Sequence, residues 1–158
     1  MREKLKWIIL ILFMVLSLFI RSKLNESKVK IPNEDDISNV VFINVVNDRG
    51  IEKSIIYERG DIKKLLNELN KSMRINKESV YSTPNKDKFT LILFKMSDGG
   101  YVKNSIYEEN AYLYFYQPFY GIFRLDNDNL KLPLDDFFDS KNKEDISLDI
   151  EEIFNDKF

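Results

Sequence analysis

Residues 88–96, KFTLILFKM, constrain the fold of this chain more than any other stretch. On an extended strand successive side chains point to opposite faces. Phe89, Leu91 and Leu93 therefore share one face, and Ile92, Phe94 and Met96 the other. A strand that is apolar on both faces needs cover on both sides, which puts it in the middle of a sheet. The turn residues Ser97-Asp98-Gly99-Gly100 follow, then a strand over 101–107, a turn at Glu108-Glu109-Asn110, a strand over 111–117 broken by Pro118, and a short strand over 120–125. Such short connections imply antiparallel pairing. Upstream, residues 39–46 (NVVFINVV) and 51–57 (IEKSIIY) flank Asn47-Asp48-Arg49-Gly50 and read as a β-hairpin.

Two segments carry helical spacing. Ile62, Leu65, Leu66 and Leu69 fall at i, i+3, i+4 and i+7, which predicts an amphipathic helix over 61–73 with its leucine stripe on the sheet. Asp61 is a good N-cap, because its carboxylate can accept from free backbone N–H groups. Ile146, Ile150, Ile153 and Phe154 predict a second helix over 145–155, able to cover the other face of the central strand. Residues 126–142 read as a loop with a helical turn near 134–139.

The chain starts differently. Residues 7–20, WIILILFMVLSLFI, are an unbroken apolar run, bracketed by Arg2, Lys4 and Lys6 before and Arg21 and Lys23 after. A spanning helix wants about 20 residues, and signal-peptide cores are shorter, so this run lies in the overlap. No small-residue cleavage pattern follows it: the run ends Ser17-Leu18-Phe19-Ile20-Arg21, and the single Ala is at Ala111. An uncleaved anchor outweighs a cleaved signal, and a buried core helix would show a polar face. The expected organisation is an N-terminal transmembrane anchor over 1–24, a polar tether over 25–38 and an extracytoplasmic domain over 39–158. Basic residues sit at both ends of the run, so charge bias does not choose the orientation. The layout of basic head, apolar run and folded domain normally exports the domain, giving a single-pass protein of the cell membrane.

Composition narrows the chemistry. The chain has no Cys and no His. The commonest general base, the commonest transition-metal ligand and the thiol nucleophile are absent together. No G-x-G-x-x-G, P-loop or G-x-S-x-G occurs. Asp126-Asn127-Asp128-Asn129 starts like a calcium loop, but Leu130, Lys131 and Phe137 stand where an oxygen ligand, Gly and Glu are needed. Adjacent acids such as Glu108-Glu109 point to opposite faces of a strand and make no glycosidase pair. Residues 126–158 carry eleven acidic against four basic residues, which argues against a nucleic-acid partner. No catalytic, cofactor or metal residues are assigned, and no enzyme activity is expected.

The aromatic cluster is the candidate binding surface. Tyr112, Tyr114 and Tyr116 alternate with Leu113 and Phe115 and share one strand face, with Gln117 and Tyr120 close behind. Tyr is enriched at interfaces, but a half-buried cross-strand ladder uses the same residues. Residues 79–84 (SVYSTP), Tyr107-Glu108-Glu109-Asn110 and residues 114–123 (YFYQPFYGIF) resemble a family of uncharacterised small extracytoplasmic domains of low-GC Gram-positive bacteria that carry an N-terminal membrane segment. The typical end of that family reads roughly Y-Y-I-E-Q-P-Y-x-G-I-Y. This chain has Phe115, Tyr116 and Phe119 instead, and the most specific shared part is Gln117-Pro118-x-Tyr120-Gly121-Ile122. The resemblance implies an exported domain and supplies no functional residues.

The expected fold is α+β: an antiparallel sheet of about five strands with one amphipathic helix on a face and a C-terminal helix, preceded by the N-terminal transmembrane helix. The expected function is non-enzymatic binding of a protein or cell-envelope component through Tyr112, Tyr114, Tyr116, Gln117 and Tyr120, with membrane contact through residues 7–20. An accessory or inhibitory subunit of a membrane complex is the alternative, and a carboxylate-based hydrolase the second.

Overall fold

The structure, a computed structural model, describes residues 7, 11–16, 28–125 and 143–155. One antiparallel sheet dominates it. Its strands are β1 (Ile37–Val46), β2 (Arg49–Ile56), β3 (Met73–Ile75), β4 (Lys88–Met96), β5 (Tyr101–Glu109), β6 (Tyr112–Gln117), β7 (Gly121–Arg124) and β8 (Glu144–Asp149). They lie in the order β3-β7-β6-β5-β4-β1-β2-β8. Helix α1 (Arg59–Asn70) and the short α2 (Ile150–Phe154) complete the regular elements, with a 3-10 turn at Glu34–Asp36.

The two-sided strand sits where its pattern requires, between β5 and β1. Ile92 and Phe94 enter one core with Phe42, Phe115 and Phe123, beneath Ile62, Leu65, Leu66 and Leu69 of α1. Phe89, Leu91 and Leu93 enter a second core on the opposite face with Val41, Ile43, Tyr107, Tyr116 and Ile153. The helix and the two cores follow from the same rule, that an apolar face must be buried against another element.

The expectation of a sheet of about five strands preceded by a transmembrane helix is overturned, and the C-terminal helix is present but shorter than expected. The sheet has eight strands and few helices accompany it. Residues 145–149 form strand rather than helix: Ile146 and Leu148 alternate toward the second core, and the helix starts only at Ile150. There Asp149 and Glu152 form a reciprocal capping box. β3 is a three-residue edge strand, too short to leave a pattern. Among the described residues no helix is long and apolar enough to cross a membrane. Residues 11–16 are helical, whereas most of the expected anchor over 1–24 lies outside the described residues, as does the loop over 126–142 with its calcium-like start.

Turn chemistry differs in detail too. The β1–β2 turn is only Asn47-Asp48, both at positive φ (49° and 62°), and Gly50 belongs to β2. The β5–β6 turn is Asn110-Ala111, again both at positive φ. These are the two-residue hairpin loops whose twist matches the flanking strands. Helix α1 begins at Arg59, before the expected cap at Asp61. Arg59 Nη1 donates to the main-chain oxygens of Glu34 (3.0 Å) and Ile37 (2.6 Å), tying the helix start to the entry of β1. Asp61 lies in the first turn, where its charge favours the helix dipole and pairs with Lys64 at 2.9 Å.

Gly50 is where the C-terminal elements dock. A Cβ there would lie 2.9 Å from Ile153 Cδ1, 3.0 Å from Ile43 Cγ2 and 3.3 Å from Ile146 Cδ1. Three ion pairs flank the seam: Lys53–Glu144 (2.8 Å), Lys143–Glu52 (3.2 Å) and Arg49–Asp149 (3.7 Å). Overpacking of this kind costs about 1–3 kcal/mol, so Gly50→Ala should lower the urea-unfolding stability of the full chain by that much. Gly60→Ala is the control. Nothing lies within 4 Å of its Cβ position, and Ala is the better helix former by about 1 kcal/mol.

Candidate functional site

The β5–β6 hairpin brings the tyrosines together. Register pairs Tyr107 with Tyr114 and Glu109 with Tyr112. The Tyr107 and Tyr114 rings stack at 5.3 Å between centroids with a 24° interplanar angle. Along β6 the three predicted tyrosines grade from open to closed: Tyr112 is 48% exposed, Tyr114 is half-buried and Tyr116 is 4% exposed. Arg124, beside Tyr114 on β7, lies with its guanidinium carbon 5.3 Å from the Tyr112 ring centroid.

The loop over residues 76–87 closes one side of this surface. Glu109 accepts from Lys86 Nζ at 2.7 Å and from Lys77 Nζ at 3.1 Å. The same ammonium groups lie 5.5 Å from the Tyr107 ring and 5.9 Å from the Tyr114 ring. Deeper in, the Tyr116 hydroxyl donates to the Tyr81 carbonyl (2.9 Å) and accepts from the Tyr81 N–H (3.1 Å), so one phenol satisfies the main chain of a loop residue.

Burial pushes the Tyr107 phenol up to about 12, helped by the Glu109 carboxylate and then by Tyr114 and Tyr116. Burial also raises Tyr116, against the opposing effect of its hydrogen bond to the Tyr81 main chain. Both hydroxyls therefore stay protonated at neutral pH, and that of Tyr116 works as a hydrogen-bonding group. Among the described residues no group of three or more acidic side chains is placed to hold a metal ion.

Gln117 and Tyr120 do not join the tyrosine surface. Gln117 is 4% exposed and turns to the α1 side of the sheet, where its carboxamide meets Asn104 and the main chain of Lys30. Tyr120 follows in the tight turn before β7, stacked on Phe123 at 5.9 Å. Arg74 packs against Gly121 and donates to the Tyr120 carbonyl at 2.8 Å. The five predicted residues thus split into two groups on opposite faces. Lys77, Lys86, Glu109 and Arg124 belong to the first group and were missed, because a loop and the two strands that flank β6 deliver them and no local spacing marks them.

Two measurements check this geometry. Tyr116→Phe removes both contacts to Tyr81 and should cost about 1 kcal/mol in thermal unfolding, whereas Tyr112→Phe should cost nothing measurable. The two lysines, Lys86 first, hold the Glu109 carboxyl below its usual range. A depressed folded-state value stabilises the fold above the ordinary carboxyl value of 4.5 and loses that contribution as pH falls through the folded value. Glu109→Gln should therefore lower the melting temperature at neutral pH, and the gap to the unsubstituted chain should close below pH 4.5.

The chain is similar to a protein from Ruminococcus gnavus whose structure was solved by NMR. The two are 23% identical, with a TM-score of 0.51 over 61% of this chain and 90% of that chain. At that identity the likeness shows the fold alone. No curated protein matches the chain. A family profile described as "Domain of unknown function (DUF5300)" matches residues 25–124, which run from just before the first described residues of the domain to the end of β7, and the chain therefore belongs to the DUF5301 family.

Proposed function

We propose that this DUF5301 domain is a non-enzymatic binding module, held outside the cytoplasm of a low-GC Gram-positive bacterium, that takes a protein or cell-envelope partner on its tyrosine surface. One observation carries the reading: Tyr112 is nearly half exposed, with Arg124 over its ring and the half-buried Tyr114 beside it. An exposed Tyr on β6 beside a half-buried Arg on β7 supplies contact area from strand residues, and Tyr and Arg are the residue types enriched at interface hot spots. Burial raises the neighbouring Tyr107 and Tyr116 phenols, which favours recognition over acid–base work. Membrane contact through residues 7–20 belongs to the same proposal. Its support is the apolar run itself and the side chains of Trp7 and residues 11–16, each more than half exposed on the protein.

A photo-crosslinking residue placed at Tyr112 in intact cells should give a discrete adduct. The same residue at Lys64, exposed on α1 across the sheet, should give none. Equal labelling from both positions, or none from Tyr112, would remove the tyrosine surface as the binding face.

A further inference from the structure

The residues that enter the domain are held in an unusual way. Residues 28–33 form no regular element, and they cross the α1 face of the sheet as a strap. Gln117 Oε1 accepts the Lys30 N–H at 2.8 Å, and Gln117 Nε2 donates to the Lys30 carbonyl at 2.6 Å. The Tyr120 hydroxyl donates to the Lys28 carbonyl at 2.9 Å. All three strap atoms are main-chain atoms. The site reads polypeptide backbone, as a neighbouring strand would, and places no demand on the side chain of Lys28. The Lys30 ammonium group lies 4.0 Å from the centroid of the Tyr120 ring.

The strap leaves the site incompletely filled. Asn104, 2% exposed, accepts from Gln117 Nε2 through Oδ1 at 3.1 Å, but its own Nδ2 has no acceptor among the described residues. A buried amide donor without a partner is costly. Val29 and Ile31 reach the first core but stay half-buried, and a cavity of about 460 Å³ remains between the strap and α1, lined among others by Val29, Ile31, Lys63, Leu66 and Asn67.

We propose that Gln117, Asn104 and Tyr120 form a receptor site for an extended peptide of a partner, and that residues 28–31 occupy it as a built-in competitor. The ligand is a segment in extended conformation with bulky apolar side chains two residues apart, at the places now held by Val29 and Ile31. Such side chains take the half-buried positions of Val29 and Ile31 against the first core, beside Leu66, Lys63 and Asn67. The site lies across the sheet from the tyrosine surface, so it stands or falls independently of that reading. A tethered segment competes at a millimolar effective concentration, and the strap therefore masks the site until it is displaced.

The test uses the full chain and a fluorescent, end-blocked peptide of sequence Ser-Lys-Leu-Lys-Leu-Pro-Asn. Lys30→Pro removes the strap donor to Gln117 and should tighten peptide binding about fivefold, the worth of one net hydrogen bond. Adding Gln117→Leu should then weaken it by about tenfold or more. A peptide methylated on the nitrogen of its second lysine should not bind. Equal binding to Lys30→Pro with and without Gln117→Leu, or no binding to Lys30→Pro, overturns the proposal. Amide exchange on the unsubstituted chain decides the matter even if the double variant fails to fold. Peptide at about 1 mM, matched to the tethered competitor, should accelerate exchange at Lys30 and leave β4 unchanged. Unaltered exchange at Lys30 under those conditions overturns it equally.

Discussion

Two adjacent side chains at the end of β6 each pair the main-chain N–H and C=O of one residue in an irregular segment that lies on the sheet. Successive strand residues point to opposite faces, so Tyr116 and Gln117 serve one face each. Tyr116 holds both polar groups of Tyr81 in the loop over 76–87, and Gln117 holds both polar groups of Lys30 in the strap. Ser79, 5% exposed, returns a hydroxyl to the Gln117 carbonyl at 2.6 Å. Irregular chain packed on a sheet cannot satisfy its own N–H and C=O groups, and leaving them buried and unpaired costs about as much as a lost hydrogen bond. The dipeptide supplies what a ladder of strands would otherwise provide. It also explains why the Gln117-Pro118-x-Tyr120-Gly121-Ile122 stretch is dense in special residues. Gly121 admits the Arg74 guanidinium, whose Nε would lie 3.1 Å from a Cβ, and that guanidinium in turn braces the turn carrying Tyr120.

The same strand shows how packing and presentation divide among identical residues. Tyr112 stands next to the β5–β6 turn, Tyr114 in the middle and Tyr116 beside the loop over 76–87. Nothing in their chemistry separates them. Their cover does: Arg124 sits over the first, Lys77 approaches the second, and the loop over 76–87 closes the third. A period-two pattern identifies the shared face but not the depth of cover along it, because depth is set by a segment more than thirty residues upstream. The buried, hydrogen-bonded tyrosine and the exposed one thus lie at opposite ends of the same strand.

Legibility in the sequence follows the reach of the interactions involved. The two-sided pattern of β4 fixed its central place and both cores, and the β1–β2, β4–β5 and β5–β6 hairpins were readable because their signals are local. The leucine face of α1 was readable for the same reason. The C-terminal stretch failed where two periods compete. Ile146, Ile150 and Ile153 satisfy a helical spacing, yet Ile146 and Leu148 also alternate, and pairing with β2 decides for strand. The capping box of Asp149 and Glu152 was the overlooked local sign that helix begins only after residue 149. The strap was read as a bare tether because its contacts to Gln117 span 87 residues, and nothing in a run of Lys, Val, Ile and Pro announces them.

The family match ends at residue 124, ahead of β8 and α2, and the way those elements attach is informative. Without them β2 would be the sheet edge, with its outer main-chain groups open to pairing with another chain. β8 takes that place with Glu144, Asp145 and Asp149 along it, a short acidic strand of the sort that resists further addition. Its partner strand is prepared for it. Gly50 leaves room for Ile146 and Ile153, and Arg49, Glu52 and Lys53 offer charges that match Asp149, Lys143 and Glu144. Lys103 then reaches from β5 to the carbonyl of Phe154 at 2.7 Å, placing a cation at the C-terminal end of α2 where the helix dipole favours one. The second core is thereby roofed by elements beyond the matched region, while the first is roofed by α1 and the strap within it. The sheet therefore ends on this side in a short, charged strand held by its own side-chain contacts to β2.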